Sequence, residues 1–436
     1  MNDPAHTPTT THERLSQDQL DGLVALHERF LQGRIGGRRA ALKHADISHL
    51  TLSGHDMRQA DFSGCLMRYM DLSRTNFQEA SLYACDLSLA NLNEASFVRA
   101  DLRGARIEAA NLTGANLERA DLRSGGISMD GQFNTVESSV VNFRGANLSG
   151  ARLSGVMANN ADFSDALMAQ IDIKNADLRG ASFQGADMSG ATIDGAQLSG
   201  AQMKNTILAG VDLTSIRDNI DIKTAITDAN IGTRLSQMAV PLAQLIDDHR
   251  RWVETVGKSG KQLDLSGYDL RDLKTLKGEK LTAIRAIGAK FFGMNLYKIE
   301  LQSAVLDDAD FRNCDMEESD LRASTFRRAI MNHARLKGAN LAPLLFGSGE
   351  RGRFAPSDFA EAQLRYADLR GATLKNASFR GADLSYANFT DADLREVDFT
   401  DAVLTGTILD GANIEGTTLP MGPAGRAFSL KSLSET

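Results

Sequence analysis

Three cysteines, seven prolines and one tryptophan are few for 436 residues, and each scarcity removes a class of protein. Three cysteines cannot build a disulfide framework, and their odd number points to a reducing compartment. Positive charge is short as well. Lys and Arg total 48 against 56 Asp and Glu, a formal charge of −8, so no basic field exists to attract nucleic acid or an anionic membrane. No apolar run approaches the roughly 20 residues needed to span a bilayer, and the opening Met1-Asn2-Asp3-Pro4 lacks the basic and apolar regions of a signal peptide. The expectation is a soluble, cytoplasmic protein without a membrane partner and without direct nucleic-acid binding. The length suits two domains better than one.

What is abundant is a period of five. From Ile47 through Leu52, Met57 and Phe62 to Ile127, every fifth residue is large and apolar. A second run extends from Phe133 to Leu213 with weak rows at Ser138 and Ala158, a third from Leu276 to Leu341 with one at Ala286, and a fourth from Phe354 to Leu419. Around each apolar residue stand Ala two before, Asp or Asn one before, Ser, Thr or Arg after, and often Gly next, as in Ala100-Asp101-Leu102-Arg103-Gly104. Neither the helical period of 3.6 nor the strand period of 2 gives this repeat. A chain that turns a corner every five residues does, and four corners close a square coil of about twenty residues. The large residue and the small one before it point inward, because two large side chains per corner would overfill so narrow a core. Asp, Asn, Ser and Gly suit the corners, where they tolerate or hydrogen-bond tight turns.

The pattern resembles the pentapeptide-repeat family, whose motif reads roughly Ala-Asp/Asn-Leu/Phe-x-x. The resemblance covers about residues 42 to 213 and 263 to 419 and implies an all-β solenoid made of two right-handed quadrilateral β-helices. It also implies a binding rather than a catalytic role. Some family members resemble duplex DNA in width and charge and modulate or protect type II topoisomerases such as DNA gyrase. In those members a C-terminal helix supports dimerisation. Here 422–428 is too short and too broken by Gly and Pro for a helix, which leaves dimerisation open.

The segments before the two solenoids match at a constant offset: Leu20, Leu23, Val24, His27, Arg29 and Phe30 correspond to Leu242, Leu245, Ile246, His249, Arg251 and Trp252. Their apolar members recur at helical spacing, and Ser16 with Gln19 reads as a capping box. The layout expected is a disordered N-terminus (1–14), a capping helix (15–34), a first solenoid (42–213) and a connector (214–234). A second helix (235–256), a second solenoid (263–419) with a loop at 342–353, and a flexible tail (420–436) complete it. A helix across each solenoid start would cover backbone groups that otherwise invite end-to-end aggregation.

Catalytic and metal signals are poor. Gly347-Ser-Gly-Glu-Arg-Gly352 spells a dinucleotide-binding motif but stands between solenoid runs, not between a strand and a helix. His44, His49 and His55 point in different directions from the coil, and Cys65, Cys85 and Cys314 occupy inward positions normally held by Ala. No cofactor, metal or catalytic residue is expected. The candidate protein-binding residues lie outside the core. Arg99 over Arg119 and Arg103 over Arg123 suggest a basic patch, Tyr69, Leu89 and Met129 an apolar stripe, and Tyr366 over Tyr386 an aromatic pair. The loop carries Leu344, Leu345 and Phe346 beside Arg351 and Arg353. The function expected is a non-enzymatic scaffold for an unidentified protein partner. The alternative is a DNA mimic acting on a type II topoisomerase, which needs a concentrated negative face. Residues 1–234 carry 28 acidic and 22 basic side chains and residues 235–436 carry 28 and 26, which supplies little of one.

Overall fold

The coil closes because each pentad makes the same three backbone contacts. Leu52 N–H donates to Asp71 O at 2.9 Å in the next coil, Asp71 N–H returns to Leu50 O at 3.1 Å, and His55 N–H closes the corner onto Leu52 O at 3.1 Å. Parallel pairing therefore advances by twenty residues at a time, Thr51 to Asp71 to Asn91 to Asn111. The computed structural model describes residues 12–125, 140–215, 220–346 and 353–420. Two compact units emerge, Met1–Asn230 and Ile231–Thr436.

Each unit has a core of stacked rows. Phe163 lies between Phe143 and Phe183 with ring centroids 4.9 and 5.3 Å away, and Phe359 between Phe326 and Phe379 at 4.8 Å each. These distances match the spacing of neighbouring strands, roughly 4.8 Å, so burial and ring stacking follow from the ladder itself. Polar residues in the small inward position are satisfied by one repeated bond. Thr75 Oγ1 donates to Leu52 O at 2.7 Å, Thr206 Oγ1 to Phe183 O at 2.7 Å and Thr407 Oγ1 to Leu384 O at 2.9 Å. The cysteines follow suit, with Cys85 Sγ 2.9 Å from Phe62 O and Cys314 Sγ 3.0 Å from Phe291 O. All three thiols are buried and unbridged, and desolvation lifts Cys65 to about 11, which leaves it a poor nucleophile.

Helix α1 (Gln17–Leu31) and helix α2 (Leu242–Glu254) lie against the first coils of their units. In the first unit, strand β1 (Glu13–Arg14) pairs with β2 (Ala45–Asp46), and Gln17 offers its side-chain oxygen to Thr51 N–H at 2.9 Å and its amide to Thr51 O at 3.1 Å. His27 Nδ1 accepts from Ala40 N–H at 3.1 Å, which obliges Nε2 to carry the proton toward Arg58 O, also at 3.1 Å. In the second unit β3 (Thr233–Arg234) pairs with β4 (Tyr268–Asp269), and His249 repeats the bridge from Leu263 N–H at 3.1 Å to Thr282 O at 2.9 Å. Burial holds both imidazoles below the ordinary histidine value, consistent with a neutral tautomer fixed at both ring nitrogens.

Several expected boundaries move. Glu13 and Arg14, assigned to a disordered N-terminus, are a paired strand; residues 1–11 of that segment lie outside the described residues, as does the tail from 421. The expected connector is partly structure, since Ile226 pairs with Ile207 in the first unit and Thr233–Arg234 with the start of the second. The frame breaks are insertions. Arg106 pairs with Asn142, thirty-six residues on instead of twenty, so sixteen extra residues separate these two rungs; Phe133, Ser138 and Ile127 fall outside the described residues, and the first described large inward row of the second run is Phe143. Asn340 pairs with Thr373, thirty-three on, so thirteen residues leave the second wall. Phe354 is accordingly not an inward row. It sits on β6 (Arg353–Ala355), paired antiparallel with β5 (Leu344–Phe346), and the inward rows resume at Phe359.

Candidate protein-interaction site

The repeating Asp or Asn is spent on the corner. Its carboxylate or amide oxygen accepts the backbone N–H two residues on, as Asp46 Oδ1 does from Ser48 at 3.0 Å and Asn147 Oδ1 from Ser149 at 3.0 Å. Where Arg occupies that second position, its guanidinium folds back onto the same carboxylate. Such forks close at 2.7 Å in Asp56–Arg58, Asp177–Arg179 and Asp393–Arg395 and at 2.6 Å in Asp320–Arg322 and Asp368–Arg370. The Arg179 and Arg395 forks are the main reason that Asp177 and Asp393 titrate below the usual carboxylate range. Part of the charge on the walls is thus compensated within single pentads.

The expected basic patch is altered by the same device. Arg103 and Arg123 stand one coil apart but pair with Asp101 at 2.8 Å and Asp121 at 2.7 Å, and Arg99 Nε donates to Glu79 at 3.1 Å. Arg119 is exposed in the coil beyond Arg99. The face is a mixed, ion-paired surface, not a bare basic one. Cross-coil pairs join Arg328 to Asp308 at 2.8 Å and Lys298 to Glu318 at 3.0 Å, while Arg327 reaches Asp358 and Glu317 takes Arg335.

Tyr69 and Leu89 are exposed in register, and Tyr69 stacks on His49 with centroids 4.9 Å apart. Ala109 N–H donates to Arg144 O, so the rung after Ala109 is Gly145, and Met129, expected in the stripe, falls outside the described residues. Tyr366 and Tyr386 stack at 5.0 Å, and His333 extends the ladder at 5.1 Å from Tyr366, a member the pairing of tyrosines alone did not disclose. Arg99, Arg119, Tyr69, Leu89, Tyr366 and Tyr386 all occupy the left-handed corner position, with φ between 56° and 62°. A bulky residue there costs on the order of 1 kcal/mol that Gly would not.

Three large apolar side chains are exposed near one another on the hairpin. Leu345 is 63 % exposed, Phe354 opposite it 55 % and Phe346 46 %. Successive residues of a strand face opposite ways, so the Leu345 and Phe354 pair marks one face of the ribbon and Leu344, Phe346 and Ala355 the other. Phe354 escaped the sequence reading because it falls in phase with the core rows. Arg353 lies on β6 opposite Phe346, and Arg351 falls outside the described residues. A shallow groove of about 250 Å³ between α1 and the first coils is lined by Phe30, Leu31, Arg58, Gln59, Gln78 and Glu79.

The pentapeptide-repeats family model matches eight times, at residues 56–93, 71–108, 85–123, 141–173, 171–210, 287–341, 357–395 and 382–419, more than half of the chain. The chain belongs to the pentapeptide-repeat family. That family folds as a right-handed quadrilateral β-helix, the coil seen here in the twenty-residue parallel register. Similar solved structures include HetL, a pentapeptide-repeat protein involved in heterocyst differentiation regulation from the cyanobacterium Nostoc, 21 % identical over 92 % of this chain and 97 % of that one, with a TM-score of 0.18. QnrB1, a plasmid-mediated fluoroquinolone resistance protein, is 21 % identical over 44 % of this chain and 87 % of that one, with a TM-score of 0.26. Rfr23 from the cyanobacterium Cyanothece is 20 % identical over 37 % and 95 %, with a TM-score of 0.21. No curated protein matches. No helix among the described residues of this pentapeptide-repeat protein is long and apolar enough to cross a membrane.

Proposed function

We propose that this pentapeptide-repeat protein is a non-enzymatic, cytoplasmic scaffold that presents two β-solenoid units, each capped at its start by a helix, and that it docks a protein partner through the β5–β6 hairpin. The observation that carries the reading is the exposure of Leu345, Phe346 and Phe354 together on a ribbon that leaves the wall. Clustered exposed apolar side chains on a soluble surface mark interaction sites, and aromatic anchors supply much of the energy of protein interfaces. The walls compete poorly for that role, because many of their charges are already paired, within pentads or between coils, and such exposed pairs contribute little to stability. The same pairing counts against the DNA-mimic alternative, whose negative face the Arg forks neutralise in part. Unbridged buried thiols agree with a reducing cytoplasm.

The test is capture of the partner from a lysate by the full chain and by a Leu345→Asp/Phe354→Asp variant with the same melting profile. Loss of most captured partner is expected. Equal capture would move recognition to the flat walls, with Tyr69, Leu89 and Arg119 as the next residues to replace.

A further inference from the structure

The net negative charge of the chain hides one stretch where positive charge stands alone. Residues 29–45 carry five basic side chains and no acidic one. Lys43 pairs with Asp61 at 3.1 Å, but Arg29, Arg34, Arg38 and Arg39 are exposed and have no carboxylate partner among the described residues, unlike Arg58, Arg103 and Arg123 on the walls. The acid before the run, Glu28, faces His55 Nδ1 at 3.2 Å, and the one after it, Asp46, accepts from Ser48 N–H at 3.0 Å.

Within this stretch the backbone holds an apolar side chain out into solvent. Helix α1 ends as Gly33 N–H donates to Phe30 O at 3.0 Å and Arg34 N–H to Arg29 O at 2.9 Å, the Schellman closure. A tight turn follows at once. Gly37 N–H donates to Arg34 O at 3.0 Å, with Gly36 at φ 79° in the third position, which a type II turn reserves for glycine. Arg38 N–H then returns to Leu26 O at 2.9 Å, and a side chain at Gly37 would collide with the Phe30 backbone. Ile35 is thereby fixed at the apex of a pinned turn, fully exposed, with Phe30 38 % exposed at the helix end.

We propose that this turn is a peripheral anchor that docks the first unit on an anionic lipid surface, Ile35 entering the boundary between headgroups and acyl chains while Arg34, Arg38 and Arg39 meet lipid phosphates. Two properties select a bilayer over a soluble partner. The apolar residue stands at an apex, not in a groove, which suits insertion into a fluid interface. The cations around it have no carboxylate folded onto them, so each adds to the attraction of an anionic leaflet, and their alkyl stems extend the apolar surface. The expectation of no membrane partner averages charge over 436 residues. Attraction to a charged surface fades within a Debye length, so the local balance decides. The second unit has a thinner version: Val256 is 88 % exposed, but Arg250 and Arg251 there are paired with Asp247 and Asp248. This inference stands independently of what the hairpin binds.

Sedimentation of the full chain at low salt with phosphatidylcholine vesicles, with and without phosphatidylglycerol, tests it. Binding to the anionic vesicles alone is expected, weakened at least about tenfold by Ile35→Asp and by Arg34→Gln/Arg38→Gln/Arg39→Gln, each with an unchanged melting profile, and less than about twofold by Val256→Asp. The three native thiols are buried, so Ile35→Cys can be labelled alone with an environment-sensitive dye, whose emission should shift to the blue on the anionic vesicles. Absence of binding, equal binding by the parent and both variants, or a dye that reports water throughout overturns the proposal. So does a chain that ignores both vesicles and binds polyglutamate or an oligonucleotide through the same arginines, since its partner is then a soluble polyanion.

Discussion

Helix α1 starts at Ser16, whose hydroxyl accepts from Gln19 N–H while the Gln19 side chain accepts from Ser16 N–H, and it buries Leu20 and Val24 in the first core. Helix α2 starts at Pro241 with no side-chain cap, and its Leu242, Leu245 and Ile246 are only partly buried. The histidine bridge is nevertheless the same in both, ring nitrogen to ring nitrogen and within 0.2 Å. What the two helices share is therefore the satisfaction of the first coil's backbone, and what they do not share is the strength of the helix that delivers it. The requirement met twice is that a buried N–H and a buried carbonyl each find a partner.

That comparison can be broken at the core, at the bridge and at the cap, in falling order of effect. Phe163→Ala removes the middle ring of a buried stack and should cost about 3–5 kcal/mol in the first unit, read by denaturant unfolding. Leu404→Ala, at the open end of the second unit, should cost less than half as much because its surroundings can collapse. A Leu404 effect equal to that of Phe163 would mean that the end is covered as firmly as the middle.

His27→Ala and His249→Ala each orphan one amide and one carbonyl, and each should cost about 2–4 kcal/mol. Local hydrogen exchange should quicken only in the unit that carries the change. The pH dependence follows from the lowered imidazole values. An unfolded histidine titrates near about 6.5, so at neutral pH neither state binds the proton and nothing is lost. Below that value the unfolded chain takes up protons that the folded imidazoles refuse, and stability falls as pH drops toward the folded values. Asp56, Glu28, Arg39 and Arg58 surround His27 and modulate the effect there, but burial leads it in both units. The double alanine variant should lose this part of the acid sensitivity below about pH 6.5; an unchanged pH profile would show that the bridges do not titrate as described.

Ser16→Ala is the smallest change and the most selective. Loss of the box should cost about 1 kcal/mol in the first unit, while the second, whose helix lacks a side-chain cap, offers no equivalent to lose. A shift in the second unit's unfolding would mean that the two helices are energetically coupled.

The coil and its inward rows were legible because a five-residue period has one compact solution, and the helices because their apolar spacing repeats at a fixed offset. The insertions were harder. Sixteen extra residues are three pentads and one more, so the sequence period runs on through Phe133 and Ser138 while the ladder steps directly from Arg106 to Asn142. Phe354 stands five residues before Phe359 and reads as core, yet a strand partner at Leu345 takes it out of the wall. The arginine patch misled for a different reason. Stacking positions can be counted from sequence, but the carboxylate that neutralises Arg103 lies in the arginine's own pentad, two residues earlier, and geometry alone tells whether the guanidinium folds back onto it.

The central claim is that the walls serve the fold while the hairpin serves recognition, and one measurement bears on it most directly. Partner binding should be titrated for the full chain, for Leu345→Asp/Phe354→Asp, and for Arg103→Gln/Arg123→Gln, all with matched melting profiles. The hairpin variant should lose at least tenfold in affinity and the wall variant should change less than twofold. Retained affinity in the first with a large loss in the second would contradict it.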